Sequence, residues 1–197
     1  MKTQGLYGLV LAGGQSSRMR QNKALLDFHG IPQKDYLHQL LSKNCEQVFT
    51  SVGKNPAGLQ VANPIPDTFD FSSPLNGIIS AFSIYPDMAW LSVPIDMPQI
   101  NEVTINKLLK ARDKKKVATC FYDSDGILPE PLLCIWEPQA FNRLKAFIEG
   151  HKISPREFLQ NEDTHIIKVD DNNFHTNINT PEEYQSWKSH RLNEDKK

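Results

Sequence analysis

Two glycines, two cations and one proline-flanked carboxylate are the residues of this chain best spaced for chemistry. Gly13 and Gly14 close an apolar run over residues 6–12, and Arg18 and Lys23 follow within ten residues. Paired glycines at the end of a buried strand let the backbone turn sharply and approach a ligand closely. Backbone N–H groups exposed at such a turn cradle phosphate oxygens, and an Arg fork and a Lys point charge beside them add fixed positive charge. Asp96 stands in Pro94-Ile95-Asp96-Met97-Pro98, just past a second apolar run. The two prolines restrict the backbone around it, which suits a carboxylate that must hold a cation. The dinucleotide pattern G-x-G-x-x-G and the G-K-[S/T] loop are both absent. No serine, cysteine or histidine is set beside a base as an activated nucleophile, so the pattern fits direct transfer at phosphorus without a covalent enzyme intermediate.

The elements that must carry these residues alternate. Strand-like runs fall at 6–12, 47–52, 61–65, 88–93, 117–122, 132–136 and 164–169. Helical spacing of apolar residues is read over 33–43 (Tyr36, Leu37, Leu40, Leu41), 77–85 (Ile78, Ile79, Phe82), 102–111 (Val103, Ile105, Leu108, Leu109) and 138–149 (Phe141, Leu144, Phe147, Ile148). Asn101 is placed to cap the third of these. Ser154-Pro155-Arg156-Glu157 and Thr180-Pro181-Glu182-Glu183 are capping boxes with proline at the first helical position, opening helices to about 159 and 190. Residues 53–60 are loop, Asp123-Ser124-Asp125-Gly126 is a turn, and the basic run 112–116 is read as a solvated helix end. Alternating buried strands and helices predict an α/β fold with a mostly parallel central sheet and helices on both faces.

Composition narrows the classes. The 197 residues suit one domain, with a core over about 5–190 and a charged tail at 191–197 that frays. A net charge of −1 argues against a nucleic-acid binder, and no apolar run has the length of a membrane helix. Cys45, Cys120 and Cys134 are scattered, show no metal spacing and read as packing residues, which fits a reducing cytoplasm.

The segment Leu11-Ala12-Gly13-Gly14-Gln15-Ser16-Ser17-Arg18-Met19, with Lys23, resembles the signature loop of the molybdenum cofactor guanylyltransferase (MobA-like) family of nucleotidyltransferases, L-A-G-G-x-S-x-R-M-G-x-D-K. Arg20 stands for the family's glycine and Asn22 for its aspartate. The resemblance continues through Pro74-Leu75-Asn76-Gly77 (G-P-L-A-G), Pro94 to Pro98 (P-x-D-x-P), Glu130-Pro131-Leu132, Ser154-Pro155-Arg156 and Asn177-Ile178-Asn179-Thr180-Pro181-Glu182. It covers residues 9 to about 187 and implies the Rossmann-like nucleotidyltransferase fold. It implies transfer of GMP from GTP to the phosphate of molybdopterin, with release of pyrophosphate and with Mg²⁺ as cofactor. Leu11, Ala12, Gly13, Gly14, Lys23, Asp67 and Asp96 would line the nucleotide, and Arg18, Lys23 and Asp96 would be catalytic. Asp96 and Asn179 would hold the metal. Glu130, Arg156 and Asn177 would face the acceptor. The protein is expected to be cytoplasmic, a monomer or weak homo-oligomer, with no nucleic-acid or membrane partner.

Several of these residues also have plainer readings. Asp67 suits an Asx turn and helix cap, Asp96 a turn, and Glu130 and Arg156 the surface. The loop chemistry is shared with cytidylyltransferases acting on the same cofactor or on a sugar or alditol phosphate. Segment 51–55 (Ser-Val-Gly-Lys-Asn) leaves the base open. The two departures at Arg20 and Asn22 would also suit a nucleotide-binding adaptor without catalysis.

Overall fold

The structure, a computed structural model, describes residues 2–13, 23–54, 59–168 and 176–194, with side chains described to 189. Among these, the strands β1 (Leu6–Leu11), β2 (Val48–Ser51), β3 (Pro64–Ile65), β4 (Ala89–Pro94), β5 (Ala118–Tyr122), β6 (Pro129–Trp136) and β7 (Thr164–Ile167) form one sheet in the order β3-β2-β1-β4-β6-β5-β7. The helices are α1 (Gln33–Ser42), α2 (Pro74–Ile84), α3 (Glu102–Ala111), α4 (Ala140–Glu149), α5 (Pro155–Asn161) and α6 (Pro181–Glu194).

The central strands β1, β2 and β4 are parallel and buried along their whole length, as their mostly apolar sequences suit when both faces are covered; Thr50, Ser51 and Ser92 are the polar residues buried with them. Leu6 and Val10 of β1 and Leu91 and Val93 of β4 pack with Leu37 and Leu41 of α1 and Ile105 and Leu108 of α3. Leu9 and Trp90, on the other face, pack with Ile78 and Phe82 of α2, Leu144 of α4 and Phe158 of α5.

The α/β fold with a mostly parallel sheet is as expected, with one strand reversed. β6 runs antiparallel to both β4 and β5, because the turn at Asp123–Gly126 joins β5 to β6 as a hairpin with Gly126 at φ 70°. β6 also begins three residues earlier than the run 132–136 suggests. Its two leading prolines are accommodated where pairing to β4, confined to Cys134–Trp136, has already stopped and the β5 register shifts.

Three further expectations are corrected. α2 begins at Pro74 rather than residue 77, because Ser73 accepts a hydrogen bond from the Leu75 N–H and Pro74 takes the first helical position. Val103 is 64% exposed, since the face of α3 that reaches the sheet carries Ile105 and Leu108 one turn on; Asn101 caps the helix as predicted, accepting from Val103 and Thr104. Arg112 is not a solvated helix end. It is buried in a two-bond fork with Glu137, Nε to Oε1 at 2.6 Å and Nη2 to Oε2 at 2.8 Å. The three cysteines are buried and unbridged, and no helix among the described residues is long and apolar enough to cross a membrane.

Candidate functional site

The carboxyl ends of β1, β2 and β4 lie side by side, and the loops that leave them are stitched together by backbone. The Ala12 N–H donates to Ser51 O at 3.0 Å and the Ile95 N–H to Leu11 O at 3.2 Å. Gly13 follows directly. A Cβ on it would come within 2.8 Å of the Gly53 nitrogen, so glycine is needed there for the close approach of two loop backbones. Gly77, inside α2, is explained similarly, because a Cβ there would collide with the Ser51 side chain. Gly14 and Arg18, with Ser16, Ser17, Met19, Arg20 and Asn22, lie outside the described residues.

Lys23 opens a 3₁₀ turn, Lys23–Leu25, where the described residues resume. Its ammonium donates to Asn179 Oδ1 at 2.6 Å and to Asp96 Oδ2 at 3.3 Å. Three segments far apart in sequence therefore meet at one nitrogen. Each is held separately. The Asp96 carbonyl accepts from the Ile178 N–H at 2.9 Å, which ties the segment before α6 to the loop after β4. His29 Nε2 is 2.9 Å from the Pro98 carbonyl, and Tyr36 donates to the Ile100 carbonyl at 3.0 Å; the two rings stack on each other. The Asn179 backbone N–H donates to Glu183 Oε2 at 2.6 Å, and the Thr180 hydroxyl accepts from the Glu183 N–H, so the predicted capping box orients Asn179. Asn177 is exposed, two residues before it.

Asp67 lies beyond β3, its N–H bonded to Gly53 O at 3.1 Å. Its Oδ1 is buried without a hydrogen-bond partner. Burial pushes its carboxyl above the usual range, partly countered by the Ser51 hydroxyl and the Lys54 charge. It is not a helix cap; Ser73 performs that task. The loop between Asp67 and α2 is held by Asn76, which donates to the Phe69 and Phe71 carbonyls and accepts from the Phe69 N–H.

A second group of charges stands on the β5–β6 side. Glu130 is 7% exposed and accepts from the Leu132 N–H at 3.0 Å. Burial raises its carboxyl, the Asp96 and Asp123 carboxylates add to that, and the Arg156 guanidinium opposes it. Glu130 is thus a buried acid within electrostatic reach of Asp96, not a surface residue. Arg156 Nη1 lies 3.4 Å from Asp123 Oδ2. Burial works against the Asp123 charge, but the N–H groups of Leu128 and Ile127 and the Arg156 guanidinium hold its carboxyl below the ordinary range. Asp123 is the residue that sequence reasoning missed. Its turn-forming role is real, with Oδ1 accepting from Ile127 and Leu128, and that role hides the second oxygen aimed at Arg156.

Among the described residues, no three His, Cys, Asp or Glu side chains are grouped so as to hold a metal ion. The Asp96 carboxylate and the Asn179 amide oxygen, already converging on one cation, are the donors of a type that a hard divalent ion takes.

The chain is 37% identical over 185 residues to a molybdenum cofactor biosynthesis bifunctional protein of Synechocystis, covering 91% of this chain and 52% of that one. It is 38% identical over 112 residues to a molybdenum cofactor guanylyltransferase of Xanthomonas euvesicatoria, covering 56% and 57%. The matches thus span about half the length of these two relatives. The crystal structure of a molybdopterin-guanine dinucleotide biosynthesis protein A from Archaeoglobus fulgidus superposes with a TM-score of 0.76 at 19% identity, over 95% of this chain and 99% of that one. That likeness bears on the fold. The MobA-like NTP transferase domain matches residues 8–166, from β1 into β7. With the strand order, the glycine at the end of β1 and the aspartate after β4 all in place, the chain belongs to the MobA-like NTP transferase domain family.

Proposed function

We propose that this protein is a nucleotidyltransferase that moves GMP from GTP to the phosphate of molybdopterin and releases pyrophosphate. The observation that carries the reading is the convergence of Asp96 and Asn179 on the Lys23 ammonium beside the glycine at the end of β1. The Synechocystis and Xanthomonas relatives, named for molybdenum cofactor biosynthesis and for guanylyl transfer, support the choice of substrates. An oxygen of the acceptor phosphate attacks the α-phosphorus of the nucleotide in line, the bond to the β-phosphate oxygen breaks, and pyrophosphate departs. The work of the protein is positioning and charge neutralisation. Lys23, together with Gly13, Gly14 and Arg18, takes the phosphates, and Lys23 turns from Asn179 and Asp96 towards them. Asp96 and Asn179 are hard oxygen donors that fit Mg²⁺; when bound there it supplies positive charge across the triphosphate oxygens. Arg156, only loosely paired with Asp123, receives the anionic acceptor, with Glu130 within its electrostatic reach and Asn177 a further acceptor residue. The three buried thiols suit a cytoplasmic protein.

Asp67 supports guanine. A half-buried carboxylate with an unpartnered oxygen matches the adjacent N1–H and N2–H₂ donors of guanine. Cytosine offers one amino donor beside acceptor atoms that a carboxylate repels. The test is thermal unfolding with Mg²⁺ and each of GTP, CTP, ATP and UTP. A ligand at about 100 times its Kd stabilises the folded state by about 2.7 kcal/mol. A shift with GTP alone is expected and licenses an assay of pyrophosphate release with molybdopterin. A shift with CTP alone replaces guanine by cytosine. No shift with any of the four, with no pyrophosphate released, sinks the enzyme reading.

A further inference from the structure

The segment 176–194 makes its described contacts with two places that flank the site. One is the loop after β4, through the Ile178 N–H and the Asp96 carbonyl. The other is the stretch that follows Lys23. There Leu26, Phe28 and Ile178 form a small apolar cluster of their own, with Tyr184 and Trp187 packed against it. Phe28 meets the edges of two α6 rings, Tyr184 at 5.1 Å and Trp187 at 5.0 Å between centroids. Trp187 also stands edge-on to His29 at 6.0 Å, and the Tyr184 hydroxyl donates to the Asp27 carbonyl at 2.9 Å. Tyr184 and Trp187 are three residues apart, so they share one helix face, and that face covers residues 26–29. This cluster is separate from the two large cores on either side of the sheet.

The arrangement has a mechanical consequence. Lys23 is three residues before Leu26, and Asn179 is one residue after Ile178. The same apolar cluster therefore fixes both ends of the Lys23–Asn179 hydrogen bond, while the Ile178–Asp96 bond fixes the third partner. The ring of His29 continues the chain of contacts to Pro98 and, by stacking, to Tyr36. We propose that Tyr184 and Trp187 are positioning residues: α6 acts as a clamp whose aromatic face holds Lys23 and Asn179 in register with Asp96, and so sets nucleotide affinity. This rests on the reading that Lys23 and Asp96 serve a nucleoside triphosphate.

Two measurements on Trp187→Ala, each repeated on Trp187→Phe, test it. The first is calorimetric Kd for GTP and for CTP with Mg²⁺. Loss of the clamp raises the Kd of whichever nucleotide the native protein binds by about tenfold, because misplacing charged groups by a fraction of an ångström weakens their grip. Trp187→Phe, which keeps a ring edge against Phe28, restores most of it. The second is backbone hydrogen exchange without nucleotide. In Trp187→Ala, exchange quickens over residues 23–30 and 95–98 and is unchanged in β1, β4 and α2. A Trp187→Ala protein with a lowered Tm but native Kd overturns the proposal, because a merely structural helix would behave that way. Native exchange over 23–30 overturns it too. Absence of any nucleotide binding by the native protein overturns the triphosphate reading instead, and the exchange result then decides the clamp alone.

Discussion

Two ion pairs sit at opposite ends of the central strands of the same sheet, and they are built differently. Arg112 and Glu137 lie at the end where β6 finishes and α3 has just stopped. Their side chains are 7% and 2% exposed and share two bonds in the fork geometry that arginine and carboxylate make best. Lys23 and Asp96 lie at the other end, past the carboxyl ends of β1 and β4. Their one contact is 3.3 Å, the side chains are 14% and 26% exposed, and the ammonium is closer to the neutral amide of Asn179 than to the carboxylate. The first pair is locked in its fork and sealed from water, with Arg112 Nη1 left buried and unpartnered, so it can only hold α3 to β6. The second has hydrogen-bonding capacity left on both members, and lysine can re-aim its three donors without breaking a planar fork. A pair that must hand its charge to a substrate cannot be closed in advance.

The comparison breaks most visibly at Asp96. On the proposed chemistry, Asp96→Ala lowers pyrophosphate release by about 10³-fold, about 4 kcal/mol of barrier, while Tm stays within a few degrees of native. Near-native turnover would remove Asp96 from the machinery. At the other end the same kind of truncation acts on stability. Arg112→Ala leaves Glu137 charged and buried, which costs about 3–5 kcal/mol in unfolding free energy, while turnover per folded molecule is kept. Denaturant titration reads the first quantity and a progress curve on the surviving native fraction the second. If Arg112→Ala instead stays stable but slow, the two ends are coupled and the division between them fails.

What the sequence made legible follows the range of the interactions involved. Caps are local: Asn101, Ser154 and Thr180 bond to N–H groups two or three residues away, and all three were readable from residue types alone. Motifs at strand ends were readable too, because Pro94 to Pro98 and Gly13 after β1 carry their backbone demands in their composition. Long-range facts were not. Arg112 heads a run with Lys114, Lys115 and Lys116 that looks like a solvent face, and only the fold brings Glu137 to it. Gly77 looks like a helix start, whereas its small size answers Ser51, 26 positions earlier in the chain. Asp123 was hidden by being sufficient as a turn residue. The reversal of β6 follows from a short hairpin turn whose consequence for strand direction outweighs the α/β alternation around it. Arg18 and Gly14 remain proposals on the resemblance, since residues 14–22 are not among those described.

A smaller change sharpens the contrast by making the open pair resemble the closed one. In Lys23→Arg the charge is retained, but a guanidinium can fork onto Asp96. Nucleotide affinity falls by about tenfold although Tm holds or rises, because arginine bound at two points is slower to give up its carboxylate than lysine bound at one. Unchanged affinity would mean that charge alone matters at position 23.

The smallest effect expected is in the pH dependence of the open end. Glu130 is buried there with no salt bridge to a cation among the described residues, and its carboxyl is raised by that burial and by Asp96 and Asp123. For an acid whose folded pKa lies above its unfolded value, the folded state binds the proton more tightly. The stabilisation is fully present below the unfolded pKa and is lost as pH rises through the folded one. At neutral pH the native protein therefore carries a folding penalty, from burying the charge or from retaining the proton that the unfolded chain releases, which Glu130→Gln removes, while the amide oxygen can still accept from the Leu132 N–H. Glu130→Gln is expected to be more stable than the native protein at pH 7, with the gap narrowing steadily towards pH 4, in paired Tm measurements across that range. A gap that stays constant would show that the Glu130 carboxyl titrates alike in the folded and unfolded states, and so is not perturbed by burial. A gap of the opposite sign would mean that its charge is held by Arg156 as firmly as Glu137 is held by Arg112, and the two ends of the sheet would then differ in exposure rather than in design.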